Sequence, residues 1–417
     1  MKVVGIIAEY NPFHSGHAYQ IKEIKKQTRA DFIVVAMSGN FVQRGLPSVT
    51  DKYTRAHMAL LCGADLVLEL PTLYATSSAE YFASAGVALL ASTGVVTTIC
   101  YGMEEPKTEL TQSIVSLLLS PTEEFNEKIS AHVKTGKKFP LARQLALCEC
   151  LKEFPSEEIA LFLSTPNNIL GIEYEKAIAK WNQDHSHQLT GHPIMRVGDG
   201  YHTDSFQSSF ASATALRKAL FCRKEEADFT VLLPYIPDRA LGVLKDAIRR
   251  QTAIHPNDFS APLYARLLEE KNEGYTDFAD CTKELSIRIQ RTLPSFTSFL
   301  GFADALHSKE ITKSRINRVL LHILLNHKKE DYWPDMISYL RVLGFTEKGK
   351  QILPSIKKEG SAPLLTKVAD ASVLLNDSAI KQFHMDLYAA DLYRGITSIK
   401  CQHDIPDEYR HSMVLVP

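Results

Sequence analysis

Short runs of β-branched and aliphatic residues alternate with amphipathic stretches in the first hundred residues. Four runs are apolar at nearly every position, which predicts strands buried on both faces of a parallel sheet. Each is followed by apolar positions at helical spacing, so the pattern is a repeated βα unit. The predicted strands are residues 3–8, 32–37, 66–70 and 97–101.

The pattern becomes helical between residues 107 and 163, where three prolines interrupt it, and this predicts a helical insertion. Strand character returns at residues 188–196, and a further helix is predicted at 212–220. Ligands of parallel α/β sheets bind at the carboxyl ends of the strands, so the loops after these strands are the places to look for chemistry.

A length of 417 residues favours two domains over one core. Beyond Pro234 nearly all apolar positions have helical spacing. We therefore predict an α/β fold: a Rossmann-like domain with a parallel sheet over residues 1–230, followed by a mainly α-helical accessory domain over residues 231–417.

Hydrophobic residues make up 45% of the chain and charged residues 23%, which is typical of globular proteins. No apolar stretch is long enough to cross a bilayer, and the first run ends at Glu9 without a cleavage site, so we expect a cytoplasmic protein with no membrane association. Neither Cys148 with Cys150 nor the histidines at 185, 187 and 192 has the full ligand set of a zinc site, so we expect no protein-bound metal. The net charge of -1 means that a nucleic acid would need a local basic patch.

The turn after the first predicted strand carries the clearest chemical signal. Residues 9–17 read Glu-Tyr-Asn-Pro-Phe-His-Ser-Gly-His and lead into a predicted helix. Backbone donors at a helix N-terminus attract anions, and Gly16 lets a phosphate approach. His14 and His17 could then hydrogen-bond the charge that builds on a phosphate under attack. The alternative is a turn in which the histidines only cap the helix.

A second motif, Ala-Ser-Ala-Thr-Ala-Leu-Arg, occupies residues 211–217 at the start of another predicted helix. Its hydroxyls and amides would hold the outer phosphates of a nucleotide, and Arg217 would neutralise the pyrophosphate that leaves. Alone, this motif would be an ordinary N-cap with a surface arginine. In order with the first, it resembles the paired motifs of the nucleotidyltransferase superfamily, (His/Thr)-x-Gly-His and Ile-Ser-Ser-Thr-x-Ile-Arg.

Further segments narrow this resemblance to one family, the bacterial tRNA(Met) cytidine acetate ligases. The similarity runs from residue 1 to about residue 220 and continues more loosely through residues 308–325. Small-metabolite adenylyltransferases open the first motif with Gly-Ser/Thr-Phe-Asp-Pro, unlike Ala8 to Pro12 here, which argues against their substrates. The segments that carry the resemblance are residues 4–19, 38–41 with 44–45, 51–52 with 55, 63–71, 167–171 with 173–174, and 196 with 201–202.

The resemblance implies a two-step reaction. Acetate attacks the α-phosphate of ATP to give acetyl-adenylate and pyrophosphate, and the acetyl group then passes to the exocyclic amine of the wobble cytidine in elongator tRNA(Met). Acetyl-coenzyme A takes no part. A Mg²⁺ ion bridging the phosphates is expected, although no carboxylate pair identifies itself as its holder. The sequence leaves open the acetate-binding residues, the proton acceptor for the amine, the choice of tRNA and the oligomeric state.

His14 and His17 are the predicted catalytic residues. Gly102 could instead be a simple strand-ending glycine, and Arg196 could form a surface ion pair. For Asn167 and Asn168 the alternative is helix capping. The predicted ATP-binding residues are Ile7, Ala8, Glu9, Tyr10, Asn11, Pro12, Phe13, His14, Ser15, Gly16, His17, Ala18, Tyr19, Gln20, Gly102, Asn167, Asn168, Arg196, Ser212, Thr214 and Arg217.

Basic residues suggest two further contacts with substrates. Lys52 and Arg55 stand at a predicted helix start, where they form either a solvated charged face or a contact to acetate or RNA. Helical spacing after residue 312 places Arg315, Arg318, His322 and Lys329 in one arc, which predicts a basic ridge or simply a solvated face. The predicted RNA-binding residues are Lys309, Lys313, Arg315 and Arg318.

Two other classes of function compete with the acetate ligase. One is a small-metabolite adenylyltransferase of the same superfamily, in which the helical part serves oligomerisation. The other is a noncatalytic RNA-binding protein with a relic nucleotide site, and the intact His14, His17 and Arg217 speak against it.

Overall fold

The computed structural model describes residues 1–196, 212–221, 232–332 and 336–417, so Tyr201, His202 and Ala211 lie outside the described residues. Eight described strands form one sheet in the order β10-β8-β5-β2-β1-β6-β7, with β9 beside β8, and β3 and β4 form a separate hairpin. The strands are β1 (Val3–Ala8), β2 (Phe32–Ser38), β3 (Phe41–Val42), β4 (Leu46–Pro47), β5 (Leu66–Leu70), β6 (Val96–Met103), β7 (Thr190–Met195), β8 (Leu340–Thr346), β9 (Leu364–Leu365) and β10 (Val414–Val416).

The strands β5, β2, β1, β6 and β7 run parallel, with Val3 opposite Phe32 and Val34 opposite Leu66. All four strands predicted in the first hundred residues are therefore confirmed, as is the return of the chain to the sheet after the helical insertion. Their carboxyl ends meet along one edge, which is where the predicted phosphate loops begin.

Helices cover both faces of this sheet because successive side chains point to opposite faces and nearly all of them are apolar. Val34 and Leu68 pack with the helices over residues 79–91 and 166–184 on one face. Val35 and Val67 pack with the helices over residues 15–28, 52–61 and 238–249 on the other. The described helices are α1 (Ser15–Thr28), α2 (Lys52–Leu61), α3 (Thr72–Ala75), α4 (Ala79–Ala91), α5 (Thr108–Leu119), α6 (Glu123–Lys134), α7 (Phe139–Cys150), α8 (Ser156–Phe162), α9 (Pro166–Asp184), α10 (Ala213–Phe221), α11 (Asp238–Arg249), α12 (Ser260–Glu269), α13 (Lys283–Thr292), α14 (Phe299–Leu306), α15 (Lys313–Leu325), α16 (Leu353–Glu359), α17 (Ala371–Leu374) and α18 (Asp377–Cys401). Short 3-10 turns occupy Leu233–Tyr235, Pro256–Phe259, Leu293–Ser295, Lys329–Asp331, Gly349–Ile352 and Val368–Asp370.

The insertion predicted at 107–163 consists of α5 to α8, and the sequence from residue 238 onward is rich in helices, as predicted. Helices α12 to α15 and α18 share a core of their own. No helix in the described ranges is long and apolar enough to cross a membrane.

The last part of the chain differs from the expectation that it is almost entirely helical. Strand β8 pairs antiparallel with β5, and β10 then pairs with β8, so the chain returns to the sheet of the first part. The run Leu-Arg-Val-Leu-Gly-Phe-Thr has the β-branched and aromatic composition of a strand, but it stands alone among helical patterns and so gives a weak signal. The division at residue 230 remains a prediction.

Candidate active site

The first predicted phosphate loop joins β1 to α1, and its two histidines hold each other in place. The Nδ1 atom of His14 accepts a hydrogen bond from the backbone N–H of Gly16 at 3.1 Å. The Nδ1 atom of His17 accepts one from the backbone N–H of His14 at 3.2 Å. The two rings stack with centroids 3.7 Å apart. This reciprocal cap fixes both imidazoles at the N-terminus of α1.

Because both Nδ1 atoms accept, each neutral ring carries its proton on Nε2. Burial, together with the charges of Arg196 and Arg217, lowers the pKa of His14 to about 3. Burial and the neighbouring His14 and Arg196 lower the pKa of His17 well below its usual value. Both rings are thus neutral Nε2–H donors at neutral pH. Capping and phosphate binding, posed as alternatives from the sequence, use different nitrogen atoms and are compatible.

The second motif closes on the first. Ser212 Oγ accepts a hydrogen bond from the backbone N–H of Ala215 at 3.1 Å, which caps α10. Arg217 donates from Nη1 to the carbonyl oxygen of Asn11 at 2.7 Å and from Nη2 to Thr214 Oγ1 at 3.0 Å. The arginine therefore bridges the two loops and is not the surface arginine of the alternative interpretation.

A cleft of about 230 Å³ joins these loops at the carboxyl edge of the sheet. Pro12, Phe13, Ser15, Ala18 and Asn168 do not line it, and Phe13 is fully buried in the core beneath. The predicted residues that line it are Ile7, Ala8, Glu9, Tyr10, Asn11, His14, Gly16, His17, Tyr19, Gln20, Gly102, Asn167, Arg196, Ser212, Thr214 and Arg217.

The sequence did not predict the other residues that line the cleft. Gln43 and Arg44 reach the cleft from the β3–β4 hairpin, and the backbone N–H of Gln43 donates to Glu9 Oε1 at 2.9 Å. Arg44 and Tyr174 belong to segments that carry the family resemblance, and this membership could have indicated that they line the site. Leu170 and Ala213 also lie within segments singled out in the sequence. The other unpredicted lining residues are Phe82, Tyr101, Ile194 and Met195, which look like ordinary helix or strand positions in the sequence.

Gly102 lies near the end of β6, where a side chain would crowd that of Arg196. An added Cβ would sit 3.1 Å from Arg196 Cγ, so the glycine leaves room for the arginine to lie across the strand end. The Arg196 guanidinium forms no ion pair with any residue in the described ranges, and it lines the cleft. Both residues line the cleft, and their contact with a nucleotide stays a prediction.

Arg55 and Lys52 are 0% and 1% exposed, so neither forms the solvated face nor the RNA contact considered from the sequence. Arg55 donates to the carbonyl oxygens of Glu9 at 2.6 Å, Ser38 at 3.0 Å, Thr50 at 3.1 Å and also Gly39. It therefore clamps the loops that follow β1 and β2. Lys52 Nζ instead pairs with two buried carboxylates in the core.

The predicted basic ridge on α15 is only partly at the surface. Arg318 is 9% exposed, and its Nη2 lies 2.7 Å from Asp280 Oδ2. His322 is 0% exposed and contacts the carbonyl oxygens of Ala279 and Thr76, each at 3.0 Å. The prediction of an exposed arc is wrong for these two residues, because helical period alone does not show that α15 packs on three sides.

The remaining predicted RNA-binding residues lie closer to solvent. Lys309 and Lys313 are exposed, and Lys313 Nζ pairs with Asp304 at 2.5 Å. Arg315 is half-buried and donates from Nη2 to the carbonyl oxygen of Asp280 at 3.1 Å. RNA contact by this group stays a prediction.

The histidines once considered as metal ligands have separate partners. The ring of His185 stacks on Trp181, His187 Nε2 bonds the carbonyl oxygen of Val96, and His192 Nε2 bonds Gln27. Their side chains do not converge on one point.

A parallel sheet that brings an HxGH loop and a Ser/Thr–Arg helix start to one cleft defines a nucleotidyltransferase. In agreement, the family model described as HIGH Nucleotidyl Transferase matches residues 1–407. Among curated relatives, the tRNA(Met) cytidine acetate ligase of Caldanaerobacter subterraneus subsp. tengcongensis is 39% identical and that of Fervidobacterium nodosum 32% identical. These matches cover 94% and 99% of this chain, and 95% and 99% of the relatives.

Two solved structures of Thermotoga maritima TmcAL have the same fold over 100% of both chains. The apo form I structure superposes with a TM-score of 0.92 at 29% identity, and the structure bound with alpha-thio ATP with a TM-score of 0.90 at 28% identity. The chain belongs to the family of tRNA(Met) cytidine acetate ligases, as its motifs predicted.

Proposed function

We propose that this protein uses ATP to activate acetate and then acetylates the exocyclic amine of the wobble cytidine in elongator tRNA(Met). The observation that carries the proposal is the hydrogen bond between Arg217 and the carbonyl oxygen of Asn11, which joins both phosphate-binding loops across one cleft. The name shared by the curated relatives supports the choice of substrates. Because both ATP and tRNA are needed, we place the reaction in the cytoplasm.

In the first step, a carboxylate oxygen of acetate attacks the α-phosphorus of ATP and the bond to the pyrophosphate oxygen breaks. The Nε2–H groups of His14 and His17 would donate to the oxygens that gain charge. The N-terminus of α10 and Arg217 would hold the departing pyrophosphate. The site thus works by positioning and charge neutralisation and needs no protein nucleophile.

In the second step, the cytidine amine attacks the acetyl carbonyl carbon, and the bond to AMP breaks as the nitrogen loses a proton. The acetyl donor is then the adenylate formed in the same cleft, and acetyl-coenzyme A is not used. The acyl group and the acceptor must meet at the carboxyl edge of the sheet, where the cleft opens.

Magnesium would enter as part of the nucleotide substrate. The described residues contain no group of three His, Cys, Asp or Glu side chains arranged to hold a metal ion. Glu9 is the one carboxylate among the described lining residues, and its Oε1 already accepts the Gln43 N–H. The protein therefore offers no metal cage of its own in these ranges, which fits an ion bound chiefly by phosphate oxygens.

The test is pyrophosphate exchange without RNA. The protein is incubated with ATP, labelled pyrophosphate and acetate, and we expect label to enter ATP only when acetate is present. If label instead requires a phosphorylated metabolite, the small-metabolite adenylyltransferase is the correct function. If no acceptor supports exchange or nucleotide transfer, the proposed activation step is overturned.

A further inference from the structure

Hydrogen bonds of one carboxylate and two adjacent asparagines join the end of β6 to the start of α9. Asn168 Oδ1 accepts hydrogen bonds from the backbone N–H groups of Glu104 at 3.1 Å and Glu105 at 3.2 Å. In return, Glu104 Oε2 accepts from the backbone N–H of Asn168 at 3.0 Å. The N-cap residue of α9, Thr165, makes no side-chain cap of its own. The Glu104 carboxylate therefore caps α9, where the helix dipole favours a negative charge.

The second oxygen of this carboxylate fixes the orientation of Asn167. Glu104 Oε1 accepts a hydrogen bond from Asn167 Nδ2. An ionised carboxylate can only accept, so the Asn167 group that faces it must be the NH₂ and not the carbonyl oxygen. Glu104 does not line the cleft, whereas Asn167 does. The amide is thus held with its carbonyl oxygen available to a ligand in the cleft.

Asn168 is not available in the same way. It is 1% exposed, and its Nδ2 donates to the carbonyl oxygen of Phe162 at 3.2 Å. With Oδ1 bonded to two backbone groups, its side chain is fully used within the fold. Of the two asparagines predicted to bind ATP, only Asn167 can offer a hydrogen bond to a ligand.

The surroundings of Asn167 suit a nucleobase. Leu170 and Tyr174 also line the cleft and lie on the same face of α9 as Asn167, at i+3 and i+7, and the Tyr101 ring is 5.3 Å from that of Tyr174. The phosphate donors belong instead to the loops before α1 and α10. Aromatic and aliphatic side chains with one placed polar group are the usual surroundings of a flat ring. A carbonyl oxygen placed there favours a ring that presents an N–H donor.

We infer that Glu104 is a positioning residue that fixes Asn167 as the acceptor for the exocyclic amine of adenine, and so makes the cleft select ATP over ITP. Hypoxanthine presents an oxygen at the position of that amine, so the Asn167 oxygen would face a second acceptor and both would lose their hydrogen bonds. The inference rests on the proposed use of ATP, but it concerns nucleotide binding and not acetyl transfer.

The discriminating variant is Glu104→Gln. The glutamine oxygen can still accept from the Asn168 N–H, while its NH₂ can donate to Asn167 Oδ1, which turns the Asn167 amide around. The NH₂ of Asn167 then faces the cleft. We expect ATP affinity to fall by about tenfold and ITP affinity to rise, since one hydrogen bond is lost and the other is gained. Dissociation constants for both nucleotides are measured by calorimetry, without acetate or tRNA.

Glu105→Gln is the matched control, because the exposed Glu105 carboxylate pairs, within the described residues, with Lys107 alone, and it should leave the preference for ATP unchanged. Asn167→Ala is a second test that keeps the Glu104–Asn168 cap, and it should bring the two affinities close together. Equal losses for both nucleotides in Glu104→Gln, or an unchanged preference in either Glu104→Gln or Asn167→Ala, would overturn the inference. A failure of acetate-dependent exchange with ATP preference intact would overturn only the proposed reaction.

Discussion

The guanidinium of Arg217 donates to the carbonyl oxygen of Asn11 at 2.7 Å, although 206 positions separate the two residues. This contact places the start of α10 beside the loop that ends β1. A nucleotide held at one loop is therefore within reach of donors from the other. Each loop is a common local structure, and the function depends on their meeting.

Arg217→Gln should break this junction and also remove the positive charge expected at the pyrophosphate. Charged hydrogen bonds contribute about 1.5–3 kcal/mol, so kcat/KM for acetate-dependent exchange should fall by at least tenfold. Arg249→Gln on the surface, where Arg249 pairs weakly with Asp246 at 3.5 Å, is the control. Unchanged exchange kinetics in Arg217→Gln would show that Arg217 takes no part in the activation step.

His14→Asn should separate the capping role of His14 from its catalytic role. Asparagine is a good N-cap and can accept the Gly16 N–H, but it has no donor where Nε2–H lies. The melting temperature should stay near that of the wild type, while the exchange rate falls by about 10²-fold or more. His14→Ala should lower both quantities. Full activity of His14→Asn would reduce this histidine to a cap.

Stability should decrease on mild acidification. Burial keeps the pKa of His14, His17, His322 and His327 below the usual value, so these rings stay neutral in the folded protein. Below about pH 6.5 the unfolded chain binds protons that the folded chain does not, and the free energy of unfolding falls as pH falls. Each such ring contributes about 1.4 kcal/mol of this loss near pH 5.5, if its folded pKa lies well below that pH.

The measurement is urea unfolding between about pH 8 and pH 5.5, with His327→Leu for comparison. Both ring nitrogens of His327 are buried without a hydrogen-bond partner among the described residues, so leucine removes one titrating group and one pair of unpaired polar atoms. We expect a shallower pH dependence in this variant. If the free energy of unfolding depends on pH with the same slope in both proteins, His327 does not contribute to the loss of stability in acid.

Local patterns predicted the strands and the phosphate loops because both depend on residues that are close in the chain. The tight turn at His14 and Gly16 and the cap at Ser212 are properties of a few neighbouring residues. The environment of charged side chains was not predictable in this way. Arg55 and Arg318 look like surface residues in the sequence, and only the carbonyl oxygens and carboxylates brought in from other segments bury them.

The same reason explains the missed strand β8. Its Arg341 is 3% exposed and pairs with the carboxylates of Glu69 and Glu408, which come from distant segments. A charged residue within an apolar run argues against a buried strand unless its partners are known. Tyr101 was missed as a cleft residue for the opposite reason, because it looks like an ordinary core position in a strand.

Glu408 should be a stability determinant supplied by the C-terminal segment. Its Oε2 lies 3.0 Å from Lys52 Nζ and contacts Arg341, and all three side chains are buried. Burial alone would raise the pKa of Glu408, but Lys52 and Arg341 lower it to about 2. Glu408→Gln leaves two buried cations facing Glu69 alone and should cost about 3–5 kcal/mol.

This loss is measured as a shift in the urea midpoint at neutral pH. Asp404→Asn is the control, because its ion pair with Arg410 is exposed and should contribute about 0–1 kcal/mol. The contribution of Glu408 is present above its unfolded pKa near 4.5 and is lost as pH falls toward 2. Equal midpoints for the wild type and Glu408→Gln would contradict a stabilising role for the buried cluster.

RNA binding should depend on the exposed lysines around the start of α15 more than on its buried arginine. Gly45 has a positive φ of 72°, and a Cβ there would lie 2.2 Å from the backbone nitrogen of Arg318, so the β3–β4 hairpin packs directly on this part of α15. Arg318→Ala would therefore disturb packing as well as charge. The clean test is the double substitution Lys309→Gln with Lys313→Gln.

We expect this double variant to bind elongator tRNA(Met) more weakly and with a shallower dependence on salt, because each lost phosphate contact lowers the logarithmic salt slope by about 0.7–0.9. Acetate-dependent pyrophosphate exchange needs no RNA and should be unchanged. Lys357→Gln with Lys358→Gln, on exposed α16, is the matched control for net charge. If both double variants weaken binding equally, the attraction is a general charge effect, and this surface has no special role in recognising the tRNA.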